Sequence, residues 1–259
     1  MSQIKKVIII AAGMGKRLRP LTNDKPKCLL DVGGKTIMER QLETLKLCGI
    51  NDTAVIRGYQ ADKINFANIK YYENTDYQNN NILNSLFCAA PEMDGGFIAS
   101  YSDILYDKSV IEKLLEDRHD VATVVDTDWQ GYYQNRTKHP LEEAEKVIIR
   151  DGKVVKLGKK IKADEASGEF IGMIKLSGNG AEIFKKEFAR VKKEYDKKPF
   201  HESAVFEKSY LTDMLQELID QGNDVYPVLI QKNWWEIDTP QDLEKVRQIF
   251  GNQKIMINL

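Results

Sequence analysis

Short apolar runs rich in β-branched residues alternate with stretches of helical periodicity along the first half of the chain. Residues 7–12 are the first such run and read as a buried strand. Ile37, Leu42, Leu45 and Leu47 follow at helical spacing, and Gly49 stops that pattern, which predicts a helix over 37–48. Strands are predicted at 53–57, 69–72, 96–100 and 121–125. Helices are predicted at 82–90, ended by Pro91, and around 110–115. This alternation predicts a mostly parallel sheet covered by helices on both faces.

After about Asp126 the pattern changes. Residues 147–149 and 154–157 flank an Asp151-Gly152 turn and read as a β-hairpin. Another strand is predicted at 169–176, and helices near 181–195 and 210–220. A strand at 225–230 and an extended stretch at 234–238 lead to a helix opening at Thr239-Pro240, with threonine as N-cap and proline in first position. No linker or internal repeat interrupts the pattern, so one domain over 1–259 is expected.

Composition narrows the class. The chain has 259 residues, 42% of them hydrophobic, which supports a substantial core. With 38 basic and 39 acidic residues it has no basic excess for a nucleic-acid surface. Cys28, Cys48 and Cys88 lie far apart and lack metal-site spacing; they read as buried thiols in a reducing compartment. No apolar run reaches the roughly 18–20 residues of a membrane span. No leader is apparent before the first strand, so a cytoplasmic protein without membrane or nucleic-acid partners is expected. The oligomeric state stays open, a homo-oligomer included.

The candidate chemistry begins where the first strand ends, in Ala11-Ala12-Gly13-Met14-Gly15-Lys16-Arg17-Leu18-Arg19-Pro20. Glycine lets backbone approach a ligand closely, and successive N–H groups in such a loop make an anion-binding concavity. Lys16, Arg17 and Arg19 add donors for a polyphosphate. The glycine spacing matches neither a dinucleotide fingerprint nor a P-loop. It continues through Pro20-Leu21-Thr22 to Pro26-Lys27-Cys28-Leu29.

From Ala11 to Leu30 the chain resembles the nucleotidyltransferase family that activates sugar phosphates and small phosphorylated alcohols, whose pattern is G-x-G-x-R-[LM]-x-P-L-T followed by P-K-x-[LM]. The resemblance implies an α/β, Rossmann-like three-layer fold with a central mixed, mostly parallel sheet and a small β-rich insertion on the acceptor side. Residues 1–125 would form the nucleotide-binding half and 126–259 the acceptor-binding half. In this reading Ala11, Ala12, Gly13, Gly15, Lys16 and Arg17 bind the triphosphate. Arg17 grips the β- and γ-phosphates, and Lys27 stands beside the α-phosphate. Asp103 and Asp238 each follow a strand on the ligand edge, and the family uses two such aspartates to hold Mg²⁺. Ser102 stands where most relatives have glycine.

Asn81 and Ser85 share a helix face and resemble the Asn-x-x-x-Ser that lies by cytosine in the choline-phosphate branch, so CTP is the expected nucleotide. Asp126 to Gly172 resembles the branch that makes CMP-linked phosphocholine and aminoalkylphosphonates. Lys160 is expected on the acceptor phosphate or phosphonate and counted as catalytic with Lys27 and Arg17. Trp129, Trp234, Trp235 and Tyr133 are possible cation–π partners for an acceptor ammonium, with Glu169 or Glu202 as counter-charge. Trp129, Trp235, Arg136, Glu169 and Lys160 are assigned to the acceptor. The expected activity is transfer of CMP from CTP to a small phosphorylated or phosphonate acceptor with release of pyrophosphate. A sugar-1-phosphate transferase using UTP or dTTP and a non-catalytic regulatory subunit are the alternatives.

Overall fold

A computed structural model describes residues 4–256, with side chains described as far as residue 251. β1 (Lys6–Ala11) lies in the middle of a nine-stranded sheet. Ile8 and Ile10 enter one apolar layer and Val7 and Ile9 the other. A strand buried on both faces has no reason to alternate with polar residues, which explains the unbroken run. β2 (Asp31–Val32) and β3 (Lys35–Thr36) form a small hairpin. α1 (Ile37–Leu47) follows, opened by a capping box between Thr36 and Glu39. β4 (Asp52–Arg57) pairs with β1, and β5 (Lys70–Glu73) pairs with β4, both parallel.

α2 (Ile82–Leu86) is shorter than the predicted helix and passes into a 3₁₀ segment, Phe87–Glu92. Pro91 offers no N–H to Phe87, and its ring would crowd that carbonyl, so α geometry stops early. β6 (Phe97–Tyr101) pairs with β1 on the side away from β4. β7 (Ile104–Tyr106), α3 (Lys108–Glu116) and β8 (Val121–Asp126) complete the first half. Three residues are too few to show a period, and β7 is not foreseen in the sequence pattern.

The second half adds the hairpin of β9 (Lys146–Arg150) and β10 (Lys153–Gly158), then β11 (Gly168–Leu176), α4 (Gly178–Glu194) and α5 (Leu211–Asp220). β12 (Tyr226–Ile230) runs parallel to β8, and β13 (Trp234–Glu236) pairs antiparallel with β7. α6 (Pro240–Met256) ends the described chain. β11 is antiparallel to β6, β8 and β9. Seven strands, β1, β4, β5, β6, β8, β9 and β12, therefore share one direction, and β10 and β11 oppose them. The sheet is mixed and mostly parallel, as expected.

One strand can serve three neighbours because β11 bends. Its register shifts between Phe170 and Ile174, and Gly172 sits there at φ +82, where a Cβ would lie 2.4 Å from the Tyr101 ring. Only glycine fits that position without moving Tyr101. A backbone bridge from Val154 to Val225 also ties β10 to the chain entering β12.

Cys28 is buried, Cys48 and Cys88 are half-buried, and all three are free thiols. Burial pushes the Cys28 thiol up to about 12. Among the described residues no helix is long and apolar enough to cross a membrane.

Candidate active site

The glycine loop leaves β1 at the carboxyl edge of the sheet. Gly15 is left-handed, at φ +56, and its missing Cβ would stand 3.1 Å from Lys27 Cβ. Leu18, buried below, pins the loop to the cluster that contains Leu30 and Ile237. Thr22 donates its hydroxyl to the Gly15 carbonyl, 2.8 Å. Among the described residues the N–H groups of Gly13, Met14, Gly15, Lys16 and Arg17 have no protein acceptor. That row of free donors is what an anion-binding loop needs.

Lys27, Asp103 and Asp238 converge beside this loop. Lys27 rides a 3₁₀ turn anchored by buried Cys28. Asp103 lies in the β6–β7 turn, Asp238 follows β13, and the Ile237 N–H donates to the Asp103 carbonyl at 2.9 Å. The pairing of β7 with β13 thus brings together two aspartates distant in sequence. The Lys27 ammonium donates to Asp103 at 2.8 Å and to Asp238. Arg17 also donates to Asp238.

Burial works against the Lys27 charge, but Asp103 and Asp238 outweigh it and raise its pKa. Burial also disfavours an ionised Asp238, yet Lys27, His139 and Arg17 hold it well below the usual carboxylate range. Asp103 Oδ1 is buried with no hydrogen-bond partner among the described residues. The two carboxylates reach one point and one oxygen is unsatisfied, an oxygen-rich arrangement suited to a hard divalent cation.

A cavity of about 430 Å³ opens from this point, lined by Ala11, Ala12, Gly13, Gly15, Lys16, Arg17, Asn81 and Ser85 among others. Each residue expected to bind nucleotide therefore lines one space. Asn81 takes the N-cap position of α2 without a side-chain cap bond; its amide donates to the Lys208 carbonyl at 3.0 Å. Ser85 donates to the Asn81 carbonyl and accepts from Asn74. Asn74 and Asn80 exchange side-chain amide bonds at 2.7 and 3.0 Å, which fixes Asn80 on the same wall.

A second cavity of about 110 Å³ shares Arg17, Tyr101, Asp103, Lys159, Tyr210 and Asp238 with the first. Glu145, Glu169, Glu236, Tyr133, His139 and Trp234 line its remainder. Glu169 is buried and accepts from the Tyr133 hydroxyl, while its Oε2 has no partner among the described residues. Burial, then the charge of Glu236, push Glu169 well above the ordinary carboxylate range. Burial pushes Glu145 up to about 7, against the pull of Lys159. Lys159 lies 3.2 Å from Glu143, over the Tyr210 ring at 4.6 Å.

Four acceptor assignments need correction. Lys160 is exposed and lines neither cavity; Lys159 does, because the Lys159 and Lys160 N–H groups are both pinned by Glu202 after Gly158 leaves the strand. Trp235 packs edge-on against Phe250 on the far side of β13, and Trp234 faces the cavity. Trp129 is buried in a small cluster with Tyr133 and Ala144. Arg136 is also buried and braces Asp242, at 2.7 Å, and Glu236, at 2.8 Å, behind the site. Asp242 in turn caps the first turn of α6 through the N–H groups of Asp238 and Thr239.

The MobA-like NTP transferase domain matches this chain over residues 7–234. The chain belongs to that family. Over 250 residues it is 37% identical to the CTP:phosphoglutamine cytidylyltransferase of Campylobacter jejuni subsp. jejuni, covering 92% of this chain and 97% of that protein. The inositol-1-phosphate CTP transferase of T. maritima has the same fold, with a TM-score of 0.74 at 23% identity over 96% of each chain. So has the CTP:phosphocholine cytidylyltransferase of Streptococcus pneumoniae, with a TM-score of 0.69 at 24% identity over 94% of this chain and 98% of that one.

Within this NTP transferase domain, sequence reasoning missed His139, Glu145, Lys159 and Glu236 as site residues. One signal was present. Trp234, Glu236 and Asp238 are two apart, and successive alternate residues of an extended chain share a face. Once Asp238 is placed in the cleft, Glu236 and Trp234 follow it.

Proposed function

We propose that this NTP transferase is a cytidylyltransferase that moves CMP from CTP to a small phosphorylated acceptor carrying an amino group, of the phosphoglutamine type. The observation that carries this reading is the junction itself: Lys27, Arg17, Asp103 and Asp238 stand where the cavity of about 430 Å³ at the glycine loop meets an acidic one. The phosphoglutamine-acting relative supports the acceptor class.

In the reaction an acceptor phosphoryl oxygen bonds to the α-phosphorus of CTP. The bond from that phosphorus to its β-bridging oxygen breaks, and pyrophosphate leaves with the electron pair. The nucleophile is already an anion, so the protein needs no strong base. Its task is to bring anions together and to stabilise charge on the transferring group. The free N–H groups of the glycine loop and Arg17 hold the β- and γ-phosphates. Lys27 turns from the aspartates to the α-phosphate, and Lys159 faces the acceptor phosphoryl group. Glu169 and Glu145 receive the acceptor ammonium, with Trp234 and Tyr133 as its aromatic wall. Asp103 and Asp238 would hold a divalent cation such as Mg²⁺, which when bound neutralises triphosphate charge. Asn80, Asn81 and Ser85 form the polar wall for the base, and CTP is the expected choice.

The test is a pyrophosphate-release panel crossing four triphosphates with phosphoglutamine, phosphocholine, 2-aminoethylphosphonate and glucose-1-phosphate. CTP with an amino-bearing acceptor should be fastest. Preference for UTP or dTTP with glucose-1-phosphate would move the protein to the sugar-phosphate branch.

A further inference from the structure

The sequence offers Glu202 as a counter-charge for the acceptor, but Glu202 lines neither cavity. Both its oxygens face backbone instead. Oε2 accepts the Lys159 N–H at 2.7 Å, and Oε1 accepts the Lys160 N–H at 3.0 Å. Gly158, just before them, leaves room for that carboxylate: a Cβ there would lie 2.4 Å from Glu202 Oε1. Glu202 is itself held. Its N–H donates to Asp213 Oδ1 at 3.0 Å, and Asp213 Oδ2 accepts the Ser203 hydroxyl at 2.7 Å and the Tyr210 N–H at 2.8 Å. Asp213 is 3% exposed, in the first turn of α5. The Lys159 ammonium lies 4.6 Å from the centre of the Tyr210 ring. One buried aspartate thus ties the group that holds the Lys159 backbone to the residue whose ring meets its ammonium.

We infer that Glu202 is a positioning residue: its carboxylate, fixed by Asp213, turns Lys159 rather than Lys160 toward the acceptor phosphoryl group. This rests on the reading above that places Lys159 on that group. The two N–H groups belong to the peptide planes on either side of the Lys159 Cα. Each plane is rigid, so holding both fixes φ and ψ of Lys159 and with them the direction of its Cα–Cβ bond. Water can satisfy two N–H groups at an exposed turn, but it does not fix their direction. The outcome is visible in the two lysines: Lys159 is half-buried and lines both cavities, and Lys160 is exposed and lines neither.

The experiment is a double-mutant cycle of Glu202→Gln and Lys159→Met on the whole protein. It is read as kcat and KM for phosphoglutamine in CTP-dependent pyrophosphate release, with a thermal melt of each variant as control for folding. Glu202→Gln keeps the side chain's size, leaves one accepting oxygen and sets an NH₂ group against the other N–H. Alone it should lower kcat/KM for phosphoglutamine about tenfold to a hundredfold, the cost of misplacing a group by about 1 Å. In the Lys159→Met background it should change kcat/KM by less than about twofold, because nothing remains to be aimed. Gly158→Ala, which drives a Cβ into the carboxylate, should reproduce both results. An equal loss in the two backgrounds, or wild-type kcat/KM in Glu202→Gln, overturns the inference and leaves the cytidylyltransferase reading standing. Failure of both Glu202→Gln and Gly158→Ala to fold does the same, because the clamp then serves stability. Wild-type kcat/KM in Lys159→Met takes Lys159 off the acceptor and the inference falls with it. No turnover of wild type with CTP and any acceptor overturns the cytidylyltransferase reading itself.

Discussion

In the ligand-free protein the cations proposed above for phosphate pair with the carboxylates proposed for a metal ion. Lys27 donates to Asp103 and Asp238, and Arg17 donates to Asp238. A divalent ion arriving alone must displace them, whereas an ion arriving with a triphosphate gives them a new partner. Lys27→Met separates the two situations while keeping most of the side chain's volume. Unit charges 2.8 Å apart attract by about 6 kcal/mol at an effective dielectric of about 20. Rehydration of the freed ammonium offsets most of this. If a quarter remains, roughly 1.5 kcal/mol, the ion gains about tenfold in affinity. Lys27→Met should therefore bind Mn²⁺ without nucleotide at least about tenfold more tightly than wild type. Turnover should fall by about 10²–10³, the loss of one transition-state donor. Calorimetric titration of Mn²⁺ and a pyrophosphate-release assay give the two numbers, with a thermal melt as control for folding. Unchanged or weaker Mn²⁺ binding would refute the exchange, and near-normal turnover would refute the role of Lys27.

Three further outcomes follow from the geometry. Trp234→Phe should raise the acceptor KM several-fold, whereas Trp235→Ala should lower the melting temperature and leave that KM alone; the reverse pattern in steady-state kinetics would contradict the faces given to β13. Gly172→Ala should cost more than about 1 kcal/mol in urea unfolding, since it strains a left-handed residue, and should raise the acceptor KM because Tyr101 must move; wild-type behaviour would contradict the bend. Glu145 is raised to about 7 by burial, above its unfolded value of about 4.3, so the native state binds the extra proton between those pH values. Stability should fall as pH rises through that window, by at most about 4 kcal/mol, and Glu145→Gln should flatten the slope in urea midpoints measured across it.

The nucleotide side of the cleft was legible because its demands are local. A left-handed Gly15 over Lys27, a row of free N–H groups and two cations require particular residues at fixed spacing, and spacing is what a sequence displays. Asp103 and Asp238 were legible as strand-end carboxylates, although the β7–β13 pairing that joins them was not. The acceptor side was read less well for two reasons. Neighbours along β13 point oppositely, so of Trp234 and Trp235 only Trp234 faces the cavity, and Lys160 was named where Lys159, beside it in the turn after β10, lines the cavity. Trp129 and Arg136 look like surface recognition groups in a polar segment, but Arg136 is drawn inward by Asp242, more than a hundred residues later. No local pattern announces such a partner.

The most direct measurement of the central claim is phosphorus NMR of the protein incubated with CTP, Mg²⁺ and phosphoglutamine. Two coupled phosphorus signals of a new CMP-linked product should grow in step with free pyrophosphate, and both should be absent from Lys27→Met over the same interval. CTP that stays intact while UTP and glucose-1-phosphate yield a nucleotide sugar, or pyrophosphate released with no CMP-linked product, would contradict the account.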